Sequence, residues 1–238
     1  MKLKHRIKAL TAILWALIIL SILLAVKTSG DPILDVIENT WIKPCFQELP
    51  TGNAIIFNLS IGFLVSSFFY LLVVWFPERQ RKNIIKNNLV VQYQSFKKDT
   101  ISILLSACQS SYTGDLPIDL TNQSEFRMFF KESVSDSQNR WHVVLNNLND
   151  RLLQELLVEF EILLNEVTYV LNNVTFEDPN VFSFFKRLSQ AVYKMKNTTL
   201  DYDDVKHLSG FLWELFAGWS FIDGYREDDI VAVMIKEI

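Results

Sequence analysis

Residues 57–82 read FNLSIGFLVSSFFYLLVVWFPERQRK, an apolar run that ends abruptly at a basic wall. The uncharged stretch around it, residues 54–76, covers 23 positions, long enough to cross a bilayer core as a helix. Small and polar residues interrupt it in a pattern. Asn58, Gly62, Ser66 and Tyr70 recur every four positions, so they form one ridge along a helix, with Ser67 beside it. Gly62 and Ser66 make a small-xxx-small pair that lets two backbones approach closely, and Asn58 brings a hydrogen-bonding amide to the same contact. The ridge therefore predicts helix packing in lipid. It either seats this span on another span of the same chain or joins separate chains into a homo-oligomer.

Upstream, residues 9–26 form a second uncharged run of 18 positions, about 27 Å as a helix. A cleaved signal peptide is the competing reading, but Lys27 stands where a small residue should precede cleavage. Within the run, Ala12 with Ala16 and Ser21 with Ala25 offer shallow surfaces to a partner helix. Lys2, Lys4, Arg6 and Lys8 precede it, and Arg79, Arg81, Lys82 and Lys86 follow the later span, whereas the connecting segment 27–53 carries two basic and four acidic residues. Basic residues favour the cytoplasmic side, so both termini are expected there, with segment 27–53 outside. Trp41 and Trp75 then fall near opposite interfaces.

The organisation read from this is a basic tail (1–8), a first transmembrane helix (9–26), an external loop (27–53), a second transmembrane helix (54–76) and a cytoplasmic domain (77–238). Within the loop, Asp31 as N-cap and Pro32 at the first helical position start a short helix. Ile33, Leu34, Ile37 and Trp41 share one of its faces, as in a helix on the outer membrane surface or a strap over the hairpin tip. The two cysteines, Cys45 and Cys108, are expected on opposite sides of the membrane and do not pair.

The remainder predicts an all-α fold: a two-helix N-terminal transmembrane hairpin followed by a cytoplasmic α-helical bundle. Ile85, Leu89, Tyr93, Phe96, Ile103 and Ala107 mark one face of a first helix, with Pro77 expected to kink or restart it. GDLPIDLTNQS (114–124) reads as a loop, followed by a short helix over 125–134. The longest periodic run is 141–174, stepping from Trp141 through Leu152, Phe160 and Leu171 to Val174. Asp178 and Pro179 start another helix. Asp201 with Asp204 resembles a capping box for a last periodic stretch, Val205 to Ile222, in which Gly210 and Gly218 are expected to serve close packing. The tail DDIVAVMIKEI is open between a strand and a partner-binding segment.

The chain lacks a phosphate-binding glycine loop, a nucleophile elbow and paired cysteines, so the reading is that it is not an enzyme and takes no cofactor. Asp203, Asp204 and His207 could pass for a metal cluster, but acidic residues at a helix N-terminus favour its dipole without any ion. DGYREDD (223–229) reads as a solvated acidic patch, and Asp150 and Glu159 as a wet helix face. Beyond Lys98 the chain is acidic, which argues against direct nucleic-acid binding and suits a basic partner protein. The basic segment beside the span suits anionic lipid.

Two jobs fit an anchored helical protein of this kind. One is an effector acting on the lipid bilayer itself; the other is a non-catalytic scaffold or receptor that recruits a cytoplasmic partner. The two-span layout and the exit LLVVWFPERQRKN (71–83) resemble the two-transmembrane effectors of bacterial retrons. That resemblance implies a bacterial inner-membrane toxin of an antiphage, abortive-infection system. Such a toxin is held quiet by a complex of reverse transcriptase and multicopy single-stranded DNA (msDNA) and compromises the membrane when released. It implies no catalytic motif.

Overall fold

The computed structural model describes residues 2–29, 49–108 and 111–238, with side chains from position 9 onwards. The expected loop helix from Asp31 to Trp41, and Cys45, lie outside the described residues. The fold is all-α, 76% helical, and divides into two compact units, Met1–Lys82 and Asn83–Ile238.

The first unit pairs two apolar helices, α1 (Lys2–Lys27) and α2 (Asn53–Tyr70). Stretches beginning at Ala9 and at Asn53 are long and apolar enough to cross a membrane. The start of α2 is set locally. Gly52 adopts a positive φ of 84° as N-cap, which a residue without Cβ tolerates. The Asn53 side chain bridges back to Leu49, accepting from its N–H at 2.9 Å and donating to its carbonyl at 2.8 Å. A π-helical turn, Leu71–Trp75, follows α2 and leads into α3 (Phe76–Cys108). Of the two expectations at Pro77, a kink or a restart, the restart does not occur, because the helical path continues through it. Proline lacks an N–H and its ring crowds the carbonyl four residues back, and the wider turn lies over those positions.

In the second unit the remaining helices are α4 (Leu116–Asp119), α5 (Gln123–Lys131), α6 (Arg140–Asn146), α7 (Asp150–Asn173), α8 (Pro179–Met195), α9 (Tyr202–Ala217) and α10 (Ile230–Lys236). Two minimal antiparallel hairpins punctuate them: β1 (Ser133–Ser135) with β2 (Gln138–Asn139), and β3 (Trp219–Ser220) with β4 (Gly224–Tyr225). The core is aromatic. Phe126 lies at its centre, with ring centroids 4.5 Å from Phe130, 6.0 Å from Trp141, 5.9 Å from Trp213 and 5.5 Å from Phe216. Phe96 extends the cluster to Phe160 and Phe216.

Capping chemistry explains where several sequence expectations shifted. GDLPIDLTNQS is not a loop throughout: it holds α4, and Asn122 caps α5 by accepting from the N–H groups of Ser124 and Glu125. The run 141–174 is two helices, because Asn149 accepts from the Leu152 N–H at 3.1 Å and starts α7 afresh. Asp178 and Pro179 open α8 as expected, with Val181, Phe185, Leu188 and Val192 buried. Helix α9 ends at Ala217, not Ile222. Gly218 takes φ 65° as its left-handed cap, and a Cβ there would stand 2.8 Å from Cδ of the buried Gln123. Gly210, by contrast, faces open space, so no close packing requires it. Asp201 makes no side-chain capping bond; Asp204 instead accepts from the Thr199 N–H at 2.9 Å and hydroxyl at 2.8 Å. The tail forms α10, with Val231, Ile235 and Ile238 in the core.

Candidate functional site

The small-residue ridge and the basic wall are the features the sequence marked, and within the first unit α2 has a buried and an exposed face. Helix α1 buries Ile18 and Ala25, Thr28 just past its end is also buried, and α2 buries Ser60 and Ser67. On each helix the pair Ile18/Ala25 or Ser60/Ser67 is seven apart, two helical turns, as in membrane helix pairs that cross at shallow angles. Small side chains on both helices allow the close approach. The Thr28 hydroxyl is satisfied internally, donating to the Leu24 carbonyl at 2.7 Å.

Asn58, Gly62, Ser66 and Tyr70 are not in this contact. All are exposed, and a Cβ on Gly62 would meet nothing within 4 Å. Ser66 donates to the Gly62 carbonyl at 2.8 Å, which keeps its hydroxyl close to the helix and the ridge low. Of the predicted set, only Ser67 faces α1. The expectation that the ridge seats the two spans of one chain on each other is corrected: Ser67 and the unpredicted Ser60 do so. On α1, Ala25 is buried and Ser21 half-buried, whereas Ala12 and Ala16 are exposed. Ser60 has the signal that could have found it, a small polar residue seven positions before Ser67.

The basic wall is also divided. The side chains of Lys2, Lys4, Arg6 and Lys8 lie outside the described residues, although their backbone belongs to α1. Arg79 stacks its guanidinium 5.1 Å above the Trp75 ring, a cation–π contact. Arg81 is exposed and Lys82 half-buried. Lys86 is not a simple flanking charge: its Nζ donates to the Lys236 carbonyl at 2.5 Å, closing the last turn of α10.

The second unit adds a cluster that sequence reading missed. Lys97 is 4% exposed, and its Nζ donates to the Thr121 carbonyl at 2.6 Å and to Asp229 Oδ2 at 2.9 Å. The Tyr93 hydroxyl, also buried, shares its proton between both Asp229 oxygens at 3.0 and 2.9 Å. Asp229 meanwhile accepts from the Val231 and Ala232 N–H groups as the N-cap of α10. The reading of DGYREDD as solvated thus fails at Asp229. Burial, followed by the Asp229 charge and hydrogen bond, pushes the Tyr93 phenol well above its ordinary value. This suits a structural donor, not a reactive group. Sequence could not reveal the pair, because its members are separated by 132 positions.

Other titratable groups have local explanations. The two bonds from Thr199, with a smaller contribution from His207, hold the Asp204 carboxyl below its usual value; Asp204 serves its helix end. Among the described residues no group of three or more His, Cys, Asp or Glu side chains could hold a metal ion. Beside α9, the β3–β4 turn presents Phe221 and Ile222 at 87% and 92% exposure. It borders a cavity of about 650 Å³ lined with Trp141, Phe211, Trp213 and Trp219. Comparison with protein-family models, curated proteins and solved structures yields no match to this chain.

Proposed function

We propose that the protein is a two-span membrane effector that acts by changing how its spans associate in the bilayer, without catalysis. The observation that carries this reading is the uncovered Asn58–Gly62–Ser66–Tyr70 ridge. Contact within the chain occupies the Ser60/Ser67 face and leaves the ridge to a second copy. Small residues with an amide among them associate in lipid through close backbone approach and interhelical hydrogen bonds. The apolar windows of the two helices are only 6% and 11% buried, and exposed surface such as Leu10, Leu20, Phe68 and Val73 calls for lipid rather than water. The basic residues after the second span favour a hairpin with both termini in the cytoplasm of a bacterial cell and a cytoplasmic bundle.

The likeness of the 71–83 exit to retron effectors supplies the biological setting: an inner-membrane toxin of abortive infection, restrained by a reverse transcriptase–msDNA complex. The acidic charge beyond Lys98 is complementary to a basic, nucleic-acid-binding partner. The test is membrane potential and dye uptake in bacteria expressing the full chain, alone and with its genomic neighbours. Rapid depolarisation suppressed by the neighbours is the expected result, and Gly62→Leu with Asn58→Leu should abolish it while leaving the protein in the membrane. Polarised, dye-excluding cells in every arm, phage challenge included, refute the effector reading.

A second reading, a membrane-anchored scaffold, draws on the exposed Phe221–Ile222 turn beside its aromatic cavity. Exposed aromatic clusters are typical anchors for a protein partner. Loss of partner capture on Phe221→Ser/Ile222→Ser, with normal membrane potential throughout, favours this alternative.

A further inference from the structure

Helix α10 is held to α3 by polar groups at both of its ends, and each counterpart on α3 lies on one stripe. Lys86, Tyr93 and Lys97 are spaced by seven and four positions, so they share a face of that helix. Lys97 and Tyr93 grip Asp229 at the N-terminus of α10, and Lys86 grips the Lys236 carbonyl at its C-terminus. The pairing order shows that α10 runs antiparallel to α3. Between these grips Val231 and Ile235, and just beyond them Ile238, join the same apolar core as Ile85 and Leu89. The segment leading into α10 is polar, with Glu227 and Asp228 exposed.

We propose that α10 is a detachable strap: it opens from α3 as a unit, separately from the α7–α8 core, and its register is set by the Lys97–Asp229–Tyr93 cluster. A helix of seven residues held at two ends is a short cooperative element, and such elements open at lower free energy than the core. Three buried apolar side chains alone would tolerate a slip along α3. The buried ion pair does not, because any shift leaves Lys97 without its counter-charge, and register is the best-supported use of a buried ionic pair. Opening bares a stripe that combines Ile85 and Leu89 with two cations and a phenol. That surface suits an apolar helix with an acidic N-cap, the chemistry of α10 itself. Any role of this opening in releasing the protein's activity rests on the effector reading; the strap does not.

The experiment is hydrogen–deuterium exchange on the full chain in lipid nanodiscs, comparing amides of α10 with those of α7. In the wild type, α10 should exchange at least about tenfold faster than α7. Asp229→Asn keeps an oxygen to cap Val231 and Ala232 but removes the charge facing Lys97. It should accelerate exchange in α10 by roughly a hundredfold and leave α7 unchanged. A chain lacking residues 227–238 should retain α7 protection, which covers the case in which Asp229→Asn is poorly behaved. Equal exchange of α10 and α7 in the wild type, or loss of α7 protection in the shortened chain, would overturn the proposal, because α10 would then be part of one cooperative core.

Discussion

Replacing two glycines of the same helical stretch by alanine should have opposite effects. Gly210 lies inside α9 with nothing within 4 Å of a built Cβ. Alanine there removes the entropic penalty of glycine in a helix interior and should stabilise the domain by about 0.8–1 kcal/mol. Gly218 closes α9 at φ 65°, ψ 29°, where an L-residue pays about 1–2 kcal/mol. A Cβ there also meets Gln123, at 2.8 Å from Cδ and 3.1 Å from Nε2. Gln123 is 6% exposed, and its Nε2 donates to the Leu215 carbonyl at 3.4 Å. Displacing it adds about 1–3 kcal/mol, the usual range for overpacking. Thermal unfolding of the purified full chain, followed by far-ultraviolet circular dichroism, measures both. At roughly 2–4 °C per kcal/mol for a domain of this size, Gly210→Ala should melt about 2–4 °C higher. Gly218→Ala should melt at least about 4 °C lower. Equal shifts of the same sign would refute the assignment of Gly218 as the helix terminus and restore a helix continuing to Ile222.

Two further perturbations test particular faces. Burial, and then the neighbouring Asp99 charge, raise the Glu159 carboxyl above its usual value. The folded state therefore holds this proton to higher pH than the unfolded state, and stability is lost as pH rises from the unfolded value through the raised one. Glu159→Gln should flatten that part of the profile and modestly stabilise the protein at pH 7, by less than about 1 kcal/mol because the group is partly solvated; denaturant melts at pH 4 and pH 7 read this directly. In the first unit, Ser67→Leu should separate α1 from α2, whereas Ser66→Leu should leave that pairing intact. Disulfide crosslinking between Cys introduced at Ile18 and Ser60 measures the pairing, and equal yields in both variants would show the wrong face has been assigned.

Much of the helical plan was legible because its determinants are local. Two uncharged runs of span length, the Asp178–Pro179 start of α8 and the periodicity of Leu152, Leu156, Phe160 and Leu163 all act within a few turns of chain. The errors were local as well, but depended on competing signals. Apolar spacing alone carried the α6–α7 run across Asn149 and the α9 run across Gly218, where a capping side chain and a left-handed backbone end the helices. Periodicity reports which residues seek a core; it does not report where the backbone stops being helical.

The sequence by itself determined that the chain is helical, that two stretches are apolar enough to span a bilayer, and that a spaced ridge of small and polar residues runs along the second. Only the tertiary structure decided that the ridge points away from α1, since whether Ser67 or Ser66 meets a neighbour depends on the rotation of one helix about its axis. It also decided that Asp229 is a half-buried counter-ion and not a fully solvated acid, because the buried Lys97 ammonium that changes its environment arrives from 132 positions away. Local pattern sets the element and the face with hydrophobic preference; long-range packing sets what that face meets, and a charge takes its meaning from the partner it meets.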